Sequence, residues 1–252
     1  LGVSDWPLDR FAVRLIKRVE DVVGAVLGLT LAAPVIAAAA IAVKRSSPGP
    51  VFFAQERCGQ SGRTFRLYKI RTMRVDAEAD SGPVFTREDD PRVTPVGAFL
   101  RRHNLDELPQ LWNVLTGDMS LVGPRPERPH FVDKFKTDIG RYMWRHVSKP
   151  GMTGWAQVNG LRGNTSIEER VKYDLYYLEN WSLLLKDEAT GELVFKIVVG
   201  SKKNVLEGLR LPPGKGIAGC VAEKGTPQFI HDAQSDPRLM REIDERSGFT
   251  TR

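Results

Sequence analysis

Cysteine is almost absent: the 252 residues hold two, Cys58 and Cys220, far apart in the chain. With no Cys-x-x-Cys pair and no cysteine at ligand spacing from a histidine, the sequence offers neither a disulfide framework nor a zinc site. A reducing compartment fits that usage. Cys58, in a glycine-flanked stretch, reads as a small turn residue, and Cys220, in an apolar one, as core. Histidine is scarce too; His130, His146 and His231 show no metal spacing, and only His103 lies near an acidic pair. Helix-turn-helix, RNP and zinc-finger patterns are missing, so nucleic acid is not the expected partner despite a net charge of +6. Positive charge of that size instead points to acidic lipid headgroups or phosphorylated substrates.

Charge itself is missing from Val22 to Val43, VVGAVLGLTLAAPVIAAAAIAV. As a helix rising about 1.5 Å per residue, this run is just long enough to cross a bilayer's hydrocarbon core. Arg14, Lys17 and Arg18 precede it and Lys44 and Arg45 follow it, so the positive-inside rule draws both ends to the cytosolic face. One straight span cannot satisfy both ends. Pro34 removes a backbone donor and disfavours helical geometry at Ala33, and the resulting reading is a re-entrant helical hairpin. Acidic residues are then nearly missing from the next stretch: Lys44, Arg45, Arg57, Arg63, Arg66, Lys69, Arg71 and Arg74 stand against Glu56 alone. This stretch belongs at headgroup level, with Phe52 and Phe53 as interfacial anchors beside the proline- and glycine-rich segment 47–51.

What the chain does have is concentrated between Asn104 and Pro126, NLDELPQLWNVLTGDMSLVGPRP. Adjacent carboxylates, Asp106 and Glu107, precede Pro109, which suits the first position of a helix and places the pair at or before its first turn, where phosphate is favoured. Gly123-Pro-Arg-Pro126 forms a stiff loop whose Arg125 can grip phosphate oxygens with a planar fork. An isolated Asp-Glu pair more often caps a helix; the company of Arg125 makes this one a candidate active site. Asp118 reads as a tie for its own loop and Trp112, at helical spacing from Leu105, Leu108 and Leu115, as core. Pro150–Gly160 reads as a ligand loop or a tight structural turn.

Four stretches in order carry a family resemblance: the apolar run with its central proline, PGPVFFAQERCGQSGRTFRLYKIRTM, DDPRVTPVGAFLRRHNLDELPQLWNVLTGDMSLVGPRPE and KPGMTGWAQVNG. From about Lys17 to Trp181 the chain resembles the bacterial sugar transferases, monotopic enzymes that act on polyprenyl phosphate. The resemblance implies transfer of a sugar 1-phosphate from a UDP-sugar donor to a polyprenyl phosphate acceptor, with Mg²⁺, on the cytosolic face of the bacterial inner membrane. It implies Asp106 as nucleophile, and Glu107 with Asp106 at the metal. It also implies Arg101, Arg125, Lys69 and Arg71 as phosphate-binding residues. A carboxylate attacks phosphorus only where the substrate's charge is neutralised, which cations and a metal in a partly desolvated site provide.

Beyond Trp181 the pattern changes. Leu183 to Gly200 reads as two strands around an Asp/Gly-bearing turn, and 183–252 resembles part of a GAF domain. Its leading helices and closing strands are not found, which points to a fusion or to missing intervening residues. An incomplete sheet leaves an open edge, and a homodimer formed through this segment is the expected use of it. The expected architecture is therefore α/β: a helix-rich monotopic membrane domain over 1–182 with a re-entrant helix at about 22–43, and a partial α+β GAF-like domain over 183–252. The rival reading is a membrane-anchored GAF ligand sensor whose transferase-like half is inactive.

Overall fold

The structure, a computed structural model, describes residues 11–77, 79, 82, 84, 90–163, 165–179, 182–198, 203–226, 228, 230 and 233–247. His231, the junction at Asn180-Trp181 and the end at Thr251-Arg252 lie outside the described residues. Backbone contacts divide the chain into one unit of Arg14–Leu175 and a second containing Tyr176–Arg252.

The first unit opens with α1, Phe11–Ser46, an alanine- and leucine-rich helix ending on Lys44 and Arg45, cations that suit a helix C-terminus. Helix continues through Pro34. The interruption expected at Ala33-Pro34 is thus corrected: proline forfeits a single donor, and the flanking turns keep helical hydrogen bonding. One turn earlier the Thr30 hydroxyl donates to the Val26 carbonyl at 2.9 Å.

A stripe of mostly small residues runs down one face of α1. Asp21 accepts hydrogen bonds from the Ser120 hydroxyl and the Leu121 amide, both at 2.9 Å. Ala25 is buried with Leu67, Val114 and Met119. Beyond the proline, Ala39 and Val43 are buried with Ile70 and Leu100. Both arms therefore pack on the same domain. Arg18 adds two 2.7 Å bonds to the carbonyls of Val114 and Leu115. On the other faces Val19, Val23, Leu27, Val35 and Ile41 are exposed, and Leu31 is 77% exposed. An apolar surface of this extent marks a membrane-association element.

After α1 the chain forms an antiparallel hairpin, β1 (Phe52–Cys58) and β2 (Thr64–Ile70), with Phe52 opposite Ile70 and Phe53 opposite Lys69. Helix α2 (Pro95–Arg102) starts with Thr94, whose hydroxyl accepts from the Gly97 amide, and with proline at its first position. Gly97 is a steric requirement, since a Cβ there would sit 2.0 Å from the Thr72 carbonyl oxygen. A 3₁₀ turn, Leu105–Glu107, and α3 (Gln110–Thr116) follow. Two short parallel strands, β3 (Ser120–Val122) and β4 (Gly151–Thr153), hold the next loop. Between them lies α4 (Pro129–Asp138), and α5 (Trp155–Val158) and α6 (Ile167–Glu179) come after β4.

Trp112 is not core: it is 52% exposed, because Leu111 and Val114 take the inward face of α3. Cys58 is buried at the end of β1 with Val132, Tyr142 and Val171, rather than in a turn, while Cys220 is only partly buried.

In the second unit, β5 (Ser182–Lys186) and β6 (Leu193–Val198) form the expected antiparallel hairpin around Asp187 and Gly191. A short helix α7 (Lys203–Leu206) leads to β7 (Arg210–Leu211), which pairs with β6, and α8 (Gly216–Lys224) and α9 (Arg241–Ser247) follow.

Candidate active site

The acidic pair sits in the 3₁₀ turn before α3, introduced by Asn104 in the left-handed conformation (φ 54°). Pro109 caps α3 rather than occupying its first position, and α3 has seven residues. Asp106 and Glu107 thus lie just before the helix, as expected, with Pro109 one position earlier than expected, but α3 is too short to serve as an anion site by itself. Side-chain cations from other elements take its place.

Glu107 is held from two sides. Lys69, on β2, donates to Oε1 at 2.8 Å; Arg125 donates to Oε1 at 2.5 Å and to Oε2 at 3.3 Å. Burial opposes the charge on Glu107, yet Arg125 and Lys69 hold its carboxyl well below the usual carboxylate range. Burial also lowers the pKa of Lys69, with Glu107 opposing it.

Asp106 is the contrast. It is 6% exposed, and among the described residues its carboxylate has no side-chain hydrogen bond or ion pair. Burial raises its pKa; Lys69 and Arg101 pull the other way, and the Glu107 charge adds to the rise. Two neighbouring carboxylates thus differ in kind: one is directly ion-paired and fixed, the other buried beside cations with a backbone hydrogen bond but no direct side-chain pair among the described residues. Arg101, on the last turn of α2, bonds through Nε to the Thr72 hydroxyl at 2.8 Å, and its two terminal nitrogens have no partner among the described residues.

Arg125 is fixed by more than Glu107. Its Nη1 donates to Gln157 Oε1 at 2.8 Å, and its own carbonyl accepts from Arg145 at 2.9 Å. Arg145 is in turn paired with Asp174 at 2.7 Å, both fully enclosed. The loop Gly123–Pro126 meets the Pro150–Gly160 segment at backbone distance: a Cβ on Gly151 would lie 2.1 Å from the Gly123 nitrogen. That segment forms β4 and α5, packs closely on the Arg125 loop and contributes Gln157.

Lys69, Arg101, Asp106, Glu107 and Arg125 line one cavity of about 470 Å³, a size that admits a small-molecule ligand. Arg71 lines it too, but its Nε, Nη1 and Nη2 donate to the carbonyls of Pro50, Pro48 and Ser47 at 2.6, 2.8 and 3.1 Å. It ties the loop after α1 to the end of β2 and has no free fork for phosphate. His103 bonds the Phe99 carbonyl on the exposed side of α2, away from the acidic pair. Asp118 accepts from the Thr116 hydroxyl, the expected local tie.

Gln157, Thr72, Arg145 and Asp174 support the site and were not assigned from sequence. Gln157 lay inside a glycine-rich loop already of interest, whereas nothing in the spacing of Arg145 and Asp174 signals that they meet.

No cluster of three metal-ligating side chains occurs among the described residues. The donor set still fits Mg²⁺, which takes one or two carboxylates and completes its shell with water and substrate phosphate. Asp106 and Glu107 are the carboxylates that would hold it, Glu107 by exchanging Lys69 or Arg125 for the ion.

Together these features define a class: an anion-handling site with one carboxylate lacking a direct side-chain pair among the described residues, on a membrane-associated α/β domain. The chain belongs to the bacterial sugar transferase family, whose model matches residues 12–199. Over 187 residues it is 49% identical to the UDP-glucose:undecaprenyl-phosphate glucose-1-phosphate transferase of Escherichia coli, covering 73% of this chain and 40% of that protein. It is 48% identical over 181 residues to the Caulobacter vibrioides protein of the same name, covering 70% and 67%. It is 46% identical over 172 residues to a UDP-N-acetylgalactosamine-undecaprenyl-phosphate N-acetylgalactosaminephosphotransferase of Aeromonas hydrophila, covering 68% and 40%. The chain spans about two fifths of the Escherichia coli and Aeromonas hydrophila relatives.

Proposed function

We propose that the protein transfers a sugar 1-phosphate from a UDP-sugar to a polyprenyl phosphate by way of a covalent aspartyl phosphosugar. The observation that carries this reading is Asp106 itself: a buried carboxylate with a backbone hydrogen bond but no side-chain partner among the described residues, beside Lys69 and Arg101, in the cavity that also holds Arg125. A carboxylate kept for structure would be paired as Glu107 is.

In the first step an Asp106 oxygen bonds to the sugar-bearing phosphorus and the bridging P–O bond breaks, its electron pair leaving with UMP. In the second a phosphate oxygen of the polyprenyl phosphate bonds to that phosphorus, and the bond to Asp106 breaks to restore the carboxylate. Arg101 offers to the phosphoryl oxygens its two terminal nitrogens, which have no partner among the described residues. Lys69 and Arg125 orient Glu107 and keep the floor of the site cationic. Mg²⁺, held by Asp106 and Glu107 with substrate phosphate, would add charge neutralisation on the transferring group.

The reading includes monotopic attachment to the cytosolic face of the inner membrane. Arg18 and the pair Lys44-Arg45 flank the apolar run within α1, and both arms of α1 pack on one domain, whereas a straight span would free one arm. Residues 183–252 are proposed as a GAF-like unit that joins two chains. The edge strand β5, paired on one side by β6 among the described residues, supports that use.

The decisive test is intact-protein mass after incubation with a UDP-sugar and Mg²⁺ but no acceptor. A one-phosphosugar adduct on the Asp106 peptide, absent in Asp106→Asn, is expected. Ternary-complex kinetics with no trappable adduct would overturn the covalent mechanism. A panel including UDP-glucose and UDP-N-acetylgalactosamine, assayed for UMP release, identifies the donor.

A further inference from the structure

The cavity above Asp106 has one end that is apolar and open. Phe52 (52% exposed), Phe53 (43%) and Val75 (66%) line it there, and Val84 (40%) is a fourth exposed hydrophobic side chain of the same cavity. Arg74, also exposed and lining the cavity, stands among them with no side-chain partner among the described residues.

Chain geometry gathers these residues at one end. Phe52 pairs with Ile70, so the start of β1 lies beside the end of β2, whose continuation carries Arg74 and Val75. Arg71 then fastens this end to the carbonyls of Ser47, Pro48 and Pro50, the loop directly following α1. Val75 closes against the same loop, where a Cβ on Gly49 would lie 2.6 Å from Val75 Cγ2. The apolar end is therefore continuous with the C-terminal end of the apolar helix. Gln55 and Arg57 line the cavity further along β1 and are bonded to each other at 2.7 Å.

We propose that Phe52, Phe53 and Val75 form the entrance for the isoprenoid chain of the polyprenyl phosphate, and that Arg74 receives its phosphate on the way to Asp106. This rests on the transferase reading given above. Water-exposed aromatic and branched apolar residues beside a guanidinium with no side-chain partner among the described residues match an amphiphile with one anionic end, and match a nucleotide sugar poorly. A soluble donor needs no apolar entrance. The opposite end, with Gln55 and Arg57, is left to it.

The covalent mechanism separates the two substrates in the test. Arg74→Gln and a Phe53→Ser/Val75→Ser double variant are assayed first for the UMP burst without acceptor, then for turnover against polyprenyl phosphates of long and short chain. An unchanged burst is expected in both variants. Arg74→Gln should raise the acceptor KM about tenfold for either chain length, the effect of one lost charge contact, with Arg74→Lys restoring most of it. The double variant should raise KM for the long chain and leave the short one unaffected. Equal loss of burst and acceptor steps would overturn the assignment, as would unchanged acceptor KM values. Weakened binding to acceptor-free anionic vesicles with no change in acceptor KM would assign Arg74 to bilayer headgroups instead. If wild-type protein releases no UMP from any UDP-sugar, the transferase reading itself fails, a result distinct from all of these.

Discussion

Lys69 Nζ lies 2.8 Å from Glu107 Oε1, joining β2 to the 3₁₀ turn that also carries Asp106. Because Arg125 bonds the same carboxylate, Glu107 acts as the hub that holds two cations beside its neighbour. Asp106, one residue earlier, is buried without such a direct side-chain pair among the described residues, and the two roles follow from environment rather than residue type.

Replacing Asp106 by Asn removes the nucleophile and a buried charge together. UMP release should fall by orders of magnitude. Stability should move the other way. A carboxyl whose folded pKa is raised stabilises the fold fully below its unfolded pKa and loses that contribution as pH rises through the folded value. The Asn variant, neutral throughout, should therefore melt higher than wild type at pH 7 in metal-free buffer, with the difference vanishing towards about pH 4. Thermal unfolding at both pH values decides the matter; a lower Tm at pH 7 would contradict it.

Glu107→Gln should cost stability where Asp106→Asn does not. The substitution leaves Lys69 and Arg125 facing each other without an anion, and about 2 kcal/mol is expected for losing one partner of a largely buried pair. Denaturant unfolding in detergent measures it, and an unchanged midpoint would show that water compensates both cations.

Gln157→Ala should act through Arg125. It removes the 2.8 Å bond to Nη1 and should lower kcat/KM of the donor step about tenfold while leaving the fold intact. Gly151→Ala is the opposite case. Its Cβ would fall 2.1 Å from the Gly123 nitrogen, so a loss of about 3 kcal/mol in stability should accompany any loss of activity. A normal melting curve for Gly151→Ala would contradict the close backbone crossing.

The topology proposal predicts that cysteines placed before Arg14 and in the Asp106 domain are both shielded from an impermeant reagent in intact cells. Pro34→Leu restores the missing helical hydrogen bond and should favour a straight span, exposing one of the two sites. Leu31→Asp puts charge at the most exposed large hydrophobic side chain of α1 and should shift protein from the membrane fraction to the soluble one.

Composition and order settled much of this protein: an apolar run flanked by cations, a basic stretch after it, an acidic pair before a helix, and the loop that carries Arg125. Local chemistry suffices for these, because length, charge and proline position are properties of adjacent residues. The tertiary structure decided what adjacency cannot encode. Arg71 and Lys69 lie two positions apart, yet one is consumed by loop carbonyls and the other by Glu107, since the end of β2 turns towards α1. Trp112 shares the helical spacing of buried leucines and faces outwards, because the short α3 buries Leu111 and Val114 instead. Pro34 marks a bend by its own chemistry, but packing on both sides of it keeps α1 helical. Above all, that Glu107 is directly ion-paired and Asp106, among the described residues, is not depends on cations arriving from β2 and from the loop after β3, and only folding brings those charges together.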